Sequence, residues 1–358
     1  MPHRARIYLD HAATTPVLPE ARAAMAEALA LWANPSSPHG EGRAAKAALE
    51  RARATIAEAL GWNYDILFTS GASEAVGIAA ARALPKRRLV GATEHDVVPY
   101  HMGEAATPLA VDKHGLIDLD GLAEHLRGEP ALVAVQHVNN EIGVTQPIDA
   151  VAEQVRAAGG LLLVDCAQSA GKIALPEADF IAISAHKFGG PPGTGALLVK
   201  DLATLTPSGG QEKGYRRGTQ NLPGIAGMAA ALQSGAHRDA MPLLAMLRER
   251  LEAGVMASGG SIIAAETERI PAISAIALVG SSRDSLLVQL DLAGFAVSAG
   301  SACASGKMKA SRVLAAMGVP PAVADGALRL SFGPQTSEAD IDAFIAAFDA
   351  IARRRRAA

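Results

Sequence analysis

Apolar residues recur at three- and four-residue spacing through 19–31 and 43–60, the period of a helix that buries one face. Beyond them the pattern changes to short, nearly uninterrupted apolar runs at 66–69, 89–92, 131–138, 161–164, 180–183 and 196–199. A half-exposed strand alternates apolar and polar residues, so runs without alternation predict strands covered on both faces. Helical stretches and loops separate the runs. The expected architecture is therefore an α/β fold, a mostly parallel sheet between helical layers. From about Asp239 the texture shifts. Helical patterns over 243–257 and 284–292 surround a strand-like run at 273–279, and 328–332 precedes a last helix over 337–353. This predicts a large α/β domain over 13–238 and a small α+β domain built from 1–12 and 239–358.

Composition narrows the function classes. At 358 residues and 49% hydrophobic content the chain is too apolar to stay disordered and long enough for more than one core. Lys and Arg total 33 against 36 Asp and Glu, a net charge of −3 that offers nucleic acid no basic footprint. The two cysteines, Cys166 and Cys303, make no disulfide framework and point to a reducing compartment. The N-terminus lacks an apolar secretion core and no apolar run is long enough to span a bilayer, so the expectation is a cytoplasmic protein with no membrane partner. Four arginines at 353–356 read as a solvated last helical turn, cations complementing the helix dipole.

Four stretches carry chemistry. In Phe68-Thr69-Ser70-Gly71-Ala72-Ser73-Glu74 a buried strand runs into glycine and then a helix, a turn whose free N–H groups suit a phosphate; the plain alternative is a serine N-cap. In Leu163-Val164-Asp165-Cys166 a carboxylate ends an apolar strand at the edge where α/β proteins bind ligands. No metal-ligand spacing accompanies Asp165, so no metal is expected and a protonated heterocyclic nitrogen is the other candidate partner. In Ser184-Ala185-His186-Lys187-Phe188-Gly189 a lysine follows directly on a strand, an odd place for a solvated charge and a suitable one for a Schiff base. Asp165 and Lys187 together supply what pyridoxal 5′-phosphate requires, a carboxylate for the ring nitrogen and an amine for its aldehyde carbon. The fourth stretch, Ser298-Ala299-Gly300-Ser301-Ala302-Cys303-Ala304-Ser305-Gly306, sets Cys303 among small residues, the setting of an accessible nucleophile, whereas Cys166 among strand residues reads as inert packing.

With these pieces in place the chain resembles the cysteine desulfurases, the NifS/IscS-like branch of the class V pyridoxal-phosphate-dependent aminotransferase superfamily. The likeness runs from Ile7-Tyr8-Leu9-Asp10-His11-Ala12-Ala13-Thr14-Thr15-Pro16 through Asn34-Pro35-Ser36-Ser37-Pro38-His39, Thr93-Glu94-His95, His137-Val138-Asn139-Asn140-Glu141-Ile142-Gly143 and Arg217-Gly218-Thr219 to Leu328-Arg329-Leu330-Ser331-Phe332-Gly333. It implies a type I PLP-dependent fold with a seven-stranded-type sheet. It implies that Lys187 holds the cofactor, that His95 stacks on its ring and moves protons, and that Asp165 pairs with the ring nitrogen. By the same resemblance Gln168 and Asn140 approach the phenolic oxygen. Ala72, Ser73, Ser184 and His186 bind the phosphate, and Thr219 reaches it from the second subunit of a homodimer. Arg329, with Asn140, binds the carboxylate of L-cysteine, and Cys303 takes the sulfur as a persulfide for an acceptor such as an iron–sulfur scaffold. Pro191-Pro192 departs from the branch, where a basic residue commonly follows the first proline, and the chain stops soon after its last helix. The competing readings are a selenocysteine lyase or other class V aminotransferase, and a silent scaffold of the same fold. An aminotransferase has no need of Cys303, and a scaffold none of Lys187, Asp165, His95 and Arg329 together.

Overall fold

The structure, a computed structural model, describes residues 6–300 and 311–357. A short strand β1 (Ile7–Tyr8) leads to helices α1 (Pro19–Leu29) and α2 (Gly40–Leu60). Proline, which lacks an N–H, opens α1; His39 Nδ1 accepts the Gly42 N–H at the start of α2, and Gly61 ends it in the left-handed conformation at φ 64°. Strands and helices then alternate: β2 (Asp65–Thr69), α3 (Ala72–Arg82), β3 (Arg87–Gly91), α4 (Val97–Met102), β4 (Thr107–Leu109), α5 (Leu119–His125), β5 (Ala131–Gln136), α6 (Ile148–Ala157), β6 (Leu161–Asp165), β7 (Phe180–Ser184) and β8 (Gly195–Val199). Helices α7 (Leu222–Ser234) and α8 (Ala236–Ala257) follow. The last third holds β9 (Ser261–Ile262), β10 (Ile273–Ala277), α9 (Arg283–Leu292), β11 (Phe295–Ala296), α10 (Arg312–Ala316), α11 (Pro321–Ala324), β12 (Ala327–Ser331) and α12 (Glu338–Ala357).

The expected α/β architecture is present. Seven strands form one sheet in the order β2-β8-β7-β6-β5-β3-β4, parallel throughout except for β8, which runs against both neighbours. Its strands β5 and β7 are buried along their whole length, and β6 beyond its first residue, because both faces are covered. Val133 and Val135 of β5 pack with Leu49, Val151 and Met228 from α2, α6 and α7, while Leu132 and Ala134 face Val76 and Val98 from α3 and α4. A second sheet, β12-β10-β9, is antiparallel and packs Leu330 and Ile276 against Leu247, Leu251, Phe344 and Phe348 of α8 and α12. β1 pairs in parallel with β11, so the chain's beginning lies against its last third.

Two of the differences from the reading of the sequence have a plain physical cause. β4 escapes it because Thr107-Pro108-Leu109 carries a proline, tolerated here since β4 is the sheet's edge. Helix α8 begins at Ala236 rather than 243: Pro242 lies inside it, and burial of His237 and Met241 carries the helix through a residue that ordinarily breaks one. The four arginines at 353–356 are exposed on the end of α12, Arg353 pairing with Asp349 one turn earlier at 2.8 Å.

Because β2, β3, β5, β6 and β7 run in one direction, their carboxyl ends open on the same edge, and the turns that follow carry residues 70–73, 93–95, 137–140, 165–168 and 184–187 to one place. The segment after β1 closes that place from the other side. Ala12 N–H donates to Ser331 Oγ at 2.8 Å and Thr15 N–H to the His186 carbonyl at 3.0 Å, tying the segment to β12 and to the turn after β7.

Candidate active site

These turns enclose a cavity of about 380 Å³, lined among others by Ala72, Ser73, His95, Asn140, Asp165, Gln168, Ser184, His186, Lys187 and Arg329. Sequence reasoning put forward all ten, and the fold gathers them from five strand ends and from β12. Thr219 does not line the cavity of its own chain; it is exposed in the stretch before α7. Cys303 lies outside the described residues. On either side of it, Ser298 and Arg329 exchange backbone hydrogen bonds of 3.2 and 2.7 Å, and Ser311 Oγ donates to Glu141 Oε2 at 2.6 Å.

At one end is the turn from β2 into α3. The N-cap of α3 is Gly71, and no side chain caps the helix, so the serine-cap alternative does not describe it. Its first N–H groups and positive dipole end are oriented toward the cavity edge where Ser73, Ser184 and His186 stand. Close approach shapes this end. A Cβ on Gly195 of β8 would stand 2.6 Å from Gly71 Cα, so only glycine lets the turn settle against the sheet. The turn is clamped from outside by Glu74, whose carboxylate accepts the Ser70 N–H at 2.5 Å and pairs with Arg216 Nε at 2.9 Å.

At the other end is Asp165, last residue of β6 and 9% exposed. One oxygen accepts the Ala167 N–H at 2.9 Å. Burial pushes the carboxyl above its ordinary range, opposed by that N–H and by the charges of His95 and Lys187. A buried carboxylate of this kind is suited to a cationic partner, and a protonated pyridine nitrogen inside the cavity provides one. Beside it stands Glu94, which sequence reasoning passed over. Its Oε1 accepts the Gln136 N–H at 2.7 Å, its Oε2 is buried without a hydrogen-bond partner, and burial raises its carboxyl well above the ordinary value, with Asp165 adding to the effect. In the same lining, Lys187 Nζ donates to the carbonyls of Ala12 and Ala13 at 2.6 and 2.8 Å. Gln168 Nε2 donates to the same Ala12 carbonyl at 2.9 Å.

Arg329, in the middle of β12, is 3% exposed. Its guanidinium reaches the Asn140 carbonyl at 2.9 Å and Asp10 Oδ1 at 2.8 Å, which fixes its plane while leaving further N–H donors for a ligand carboxylate. The Asp10 contact spans 319 residues, and no local signal in the sequence announces it. His186 Nδ1 lies 3.1 Å from Thr14 Oγ1, and burial with the nearby Lys187 and Lys172 charges pushes the imidazole down to about 4, so its neutral form lines the cavity.

Cys166 follows the opposite course. It is fully buried, packs in the core that also holds Leu162 and Val164, and lies away from the face that carries Leu163 and Asp165. Burial pushes its thiol well above the ordinary range, which suits packing and not nucleophilic work. Among the described residues no cluster of His, Cys, Asp and Glu could hold a metal ion.

A carboxylate, a lysine and an uncapped helix start line one cavity at the sheet's carboxyl edge, and the residues present fit what PLP requires, an anion for its ring nitrogen, an amine for its aldehyde and N–H donors for its phosphate. Residues 7–344 match the aminotransferase class-V family. A cysteine desulfurase of Cereibacter sphaeroides is 38% identical over 98% of this chain and 97% of its own. An IscS-like cysteine desulfurase of Mycobacterium tuberculosis is 37% identical over 98% of both chains. The solved structure of a NifS-like protein from Rickettsia africae superposes with a TM-score of 0.87 at 32% identity, covering 97% of this chain and 99% of that one. The chain belongs to the class V aminotransferase family, in its NifS/IscS-like cysteine desulfurase branch.

Proposed function

We propose that the chain is a PLP-dependent cysteine desulfurase, a sulfurtransferase that converts L-cysteine to L-alanine and keeps the sulfur as a persulfide on Cys303. The observation that carries this reading is the meeting of Asp165, Lys187 and the uncapped start of α3 in the lining of one cavity. Bound PLP supplies an electron sink that makes the substrate's α-proton removable and its sulfur open to attack. Lys187 would anchor the cofactor, and its Nζ would hold the α-proton of the substrate. Asp165 keeps the ring nitrogen protonated. Arg329 and Asn140 take the substrate carboxylate and orient the sulfur. His95, which lines the same cavity, would give a proton to the departing carbon skeleton. The Cys303 thiolate forms the new S–S bond with the substrate sulfur as the C–S bond breaks, and L-cysteine plus enzyme thiol becomes L-alanine plus enzyme persulfide.

Thr219, exposed in its own chain, serves the phosphate of a neighbouring subunit in a homodimer with shared sites. The persulfide passes to an acceptor protein, with iron–sulfur cluster assembly as the general destination. The division into a large domain over 13–238 and a small one from the remainder is supported by the separate apolar clusters around the two main sheets. No described helix is long and apolar enough to cross a membrane, and we place the enzyme in the cytoplasm. Mass spectrometry of alkylated protein after incubation with L-cysteine tests the assignment. One added sulfur on the Cys303 peptide, absent from Cys303→Ser while its cofactor band persists, is the expected result. The sulfur on Cys166 would overturn it.

A further inference from the structure

The turn that brings His95 to the cavity is held by a side chain that takes no part in the reaction. β3 and β5 pair in parallel from Arg87 opposite Ala131 to Val90 opposite Ala134. β5 runs on to Gln136, whereas β3 ends at Gly91. The His137 N–H goes to the Asp165 carbonyl of β6 at 2.9 Å, so the Gln136 N–H before it faces the side from which β3 has withdrawn. Gln136 is buried, and a buried N–H without an acceptor is costly. Glu94, equally buried, supplies the acceptor: its Oε1 takes that N–H at 2.7 Å, across 42 residues of sequence.

The surroundings are shaped to this bond. A Cβ on Gly91 would stand 2.8 Å from Glu94 Oε1, so the glycine that ends β3 leaves the carboxyl its room. Gln136 returns the grip with its own side chain, whose Nε2 donates to the Thr93 carbonyl and Oγ1 at 2.7 and 3.0 Å. At residue 94 itself the N–H donates to the Gly91 carbonyl at 3.2 Å, and the carbonyl accepts from exposed Arg312 of α10 at 3.2 Å. The side-chain bond is the shortest of the three and joins this residue to β5. His95 comes next, its Nδ1 accepting the Val97 N–H at 3.3 Å. Burial pushes the Glu94 carboxyl well above its ordinary value, and Oε2 has no hydrogen-bond partner. What accepts is therefore the oxygen of an un-ionised acid, a task that an amide oxygen can also perform.

We infer that Glu94 is a positioning residue for His95: its side chain takes the place beside Gln136 that β3 vacates, and so holds the turn of residues 93–95 against the end of β5. Without that oxygen the Gln136 N–H is left buried and unpaired, and the turn must shift to find it a partner, taking the His95 ring along. The inference rests on the reading of His95 as the proton donor of the reaction. That reading fails separately, if His95→Ala turns over L-cysteine like wild type.

The test compares the full chain with Glu94→Met, which keeps the length and removes the acceptor, and Glu94→Gln, which restores it. In cofactor-free protein the rate at which diethyl pyrocarbonate modifies His95 is followed by peptide mass spectrometry, with exposed His125 as internal reference. In the PLP-loaded protein, circular dichroism of the visible band reports the surroundings of the cofactor's ring. Glu94→Met is expected to change the His95 rate several-fold and to alter the dichroism. Its turnover is expected to fall by on the order of 10²-fold, the effect of misplacing a reacting group by about 1 Å. Glu94→Gln is expected to recover all three. A purely structural role would lower the melting temperature of Glu94→Met and leave the His95 rate and the dichroism at their wild-type values, which overturns the proposal. A Glu94→Gln protein that behaves like Glu94→Met overturns it as well. Should Glu94→Met fail to fold, Gly91→Ala, whose methyl displaces the carboxyl from Gln136, decides in its place.

Discussion

The two sides of Lys187 are built from opposite charges under the same constraint. In front, at the ends of β3 and β6, Glu94 and Asp165 are buried carboxyls, and burial drives both toward the protonated form. Behind, Lys172, His11 and His237 are buried bases, and burial drives all three toward the deprotonated form. Desolvation penalises charge of either sign. What differs is the remedy. The front opens on a cavity where a cofactor's ring nitrogen can pair with Asp165. At the rear, among the described residues, no carboxylate lines the space shared by Lys172, His11 and His237, and burial pushes all three toward the neutral form. The lysine between them faces the Asp165 carboxyl on one side and buried bases on the other, its Nζ held by the Ala12 and Ala13 carbonyls.

The largest break in this arrangement is loss of the lysine itself. Lys187→Ala is expected to give a colourless protein with turnover lower by on the order of 10³-fold or more, since anchor and proton carrier go together. The check is the visible spectrum alongside alanine formation from L-cysteine. The front is tested next by Asp165→Asn. An amide fills the same space but cannot hold the ring nitrogen in its protonated form, so turnover is expected to fall by on the order of 10²-fold while the cofactor still binds. Near-normal turnover in the Asp165→Asn protein would detach the front carboxylate from the chemistry.

How much of this was legible in the sequence follows the same division. Asp165, Lys187 and Ser73 announce themselves because each ends or follows an apolar run, and a strand's end is a one-dimensional feature. Cys166 was legible for the converse reason, since strand alternation sends it to the other face from Asp165. The rear was not legible. His11 and His237 are 226 positions apart in number (237 − 11) and meet only after β1 and α8 fold against the same turn. The start of α8 was itself obscured by Pro242. Asp10 and Glu94 sit inside motifs that flagged their neighbours, and only burial and partners reveal that one orients Arg329 and the other shares charge with Asp165.

The rear side makes a prediction about acid stability. His237 is pushed down to about 3, and His11, His137 and His186 to about 4, mainly by burial. The unfolded chain protonates these rings near pH 6.5, so between there and about pH 4 it binds more protons than the folded chain. Their contribution to stability is therefore full above about pH 6.5 and is lost as pH falls toward 4. The raised carboxyls of Glu94 and Asp165 act in the opposite direction and reduce the net slope. Replacing one ring isolates its share. His237→Leu is expected to shrink the loss of urea stability between pH 7 and pH 5 by on the order of 1 kcal/mol. An identical pH dependence in wild type and variant would show that His237 is not held neutral.

The smallest effect expected is at Cys166, and it sharpens the comparison because Cys166 lies one residue from the front carboxylate yet belongs to neither side. It packs with Leu162 and Val164 beneath the sheet, and burial keeps its thiol protonated. Cys166→Ala removes one sulfur from a close-packed interior, a loss of about 1 kcal/mol if neighbours relax only in part. Because Asp165 points to the opposite face, the spectrum of the bound cofactor and the rate of alanine formation should stay within about twofold of wild type, well inside the effect of any residue that touches the reacting atoms. A chemical-denaturation midpoint lowered with an unchanged slope would assign Cys166 to the core. A turnover loss as large as that of Asp165→Asn, at unchanged stability, would place the thiol in the active site after all.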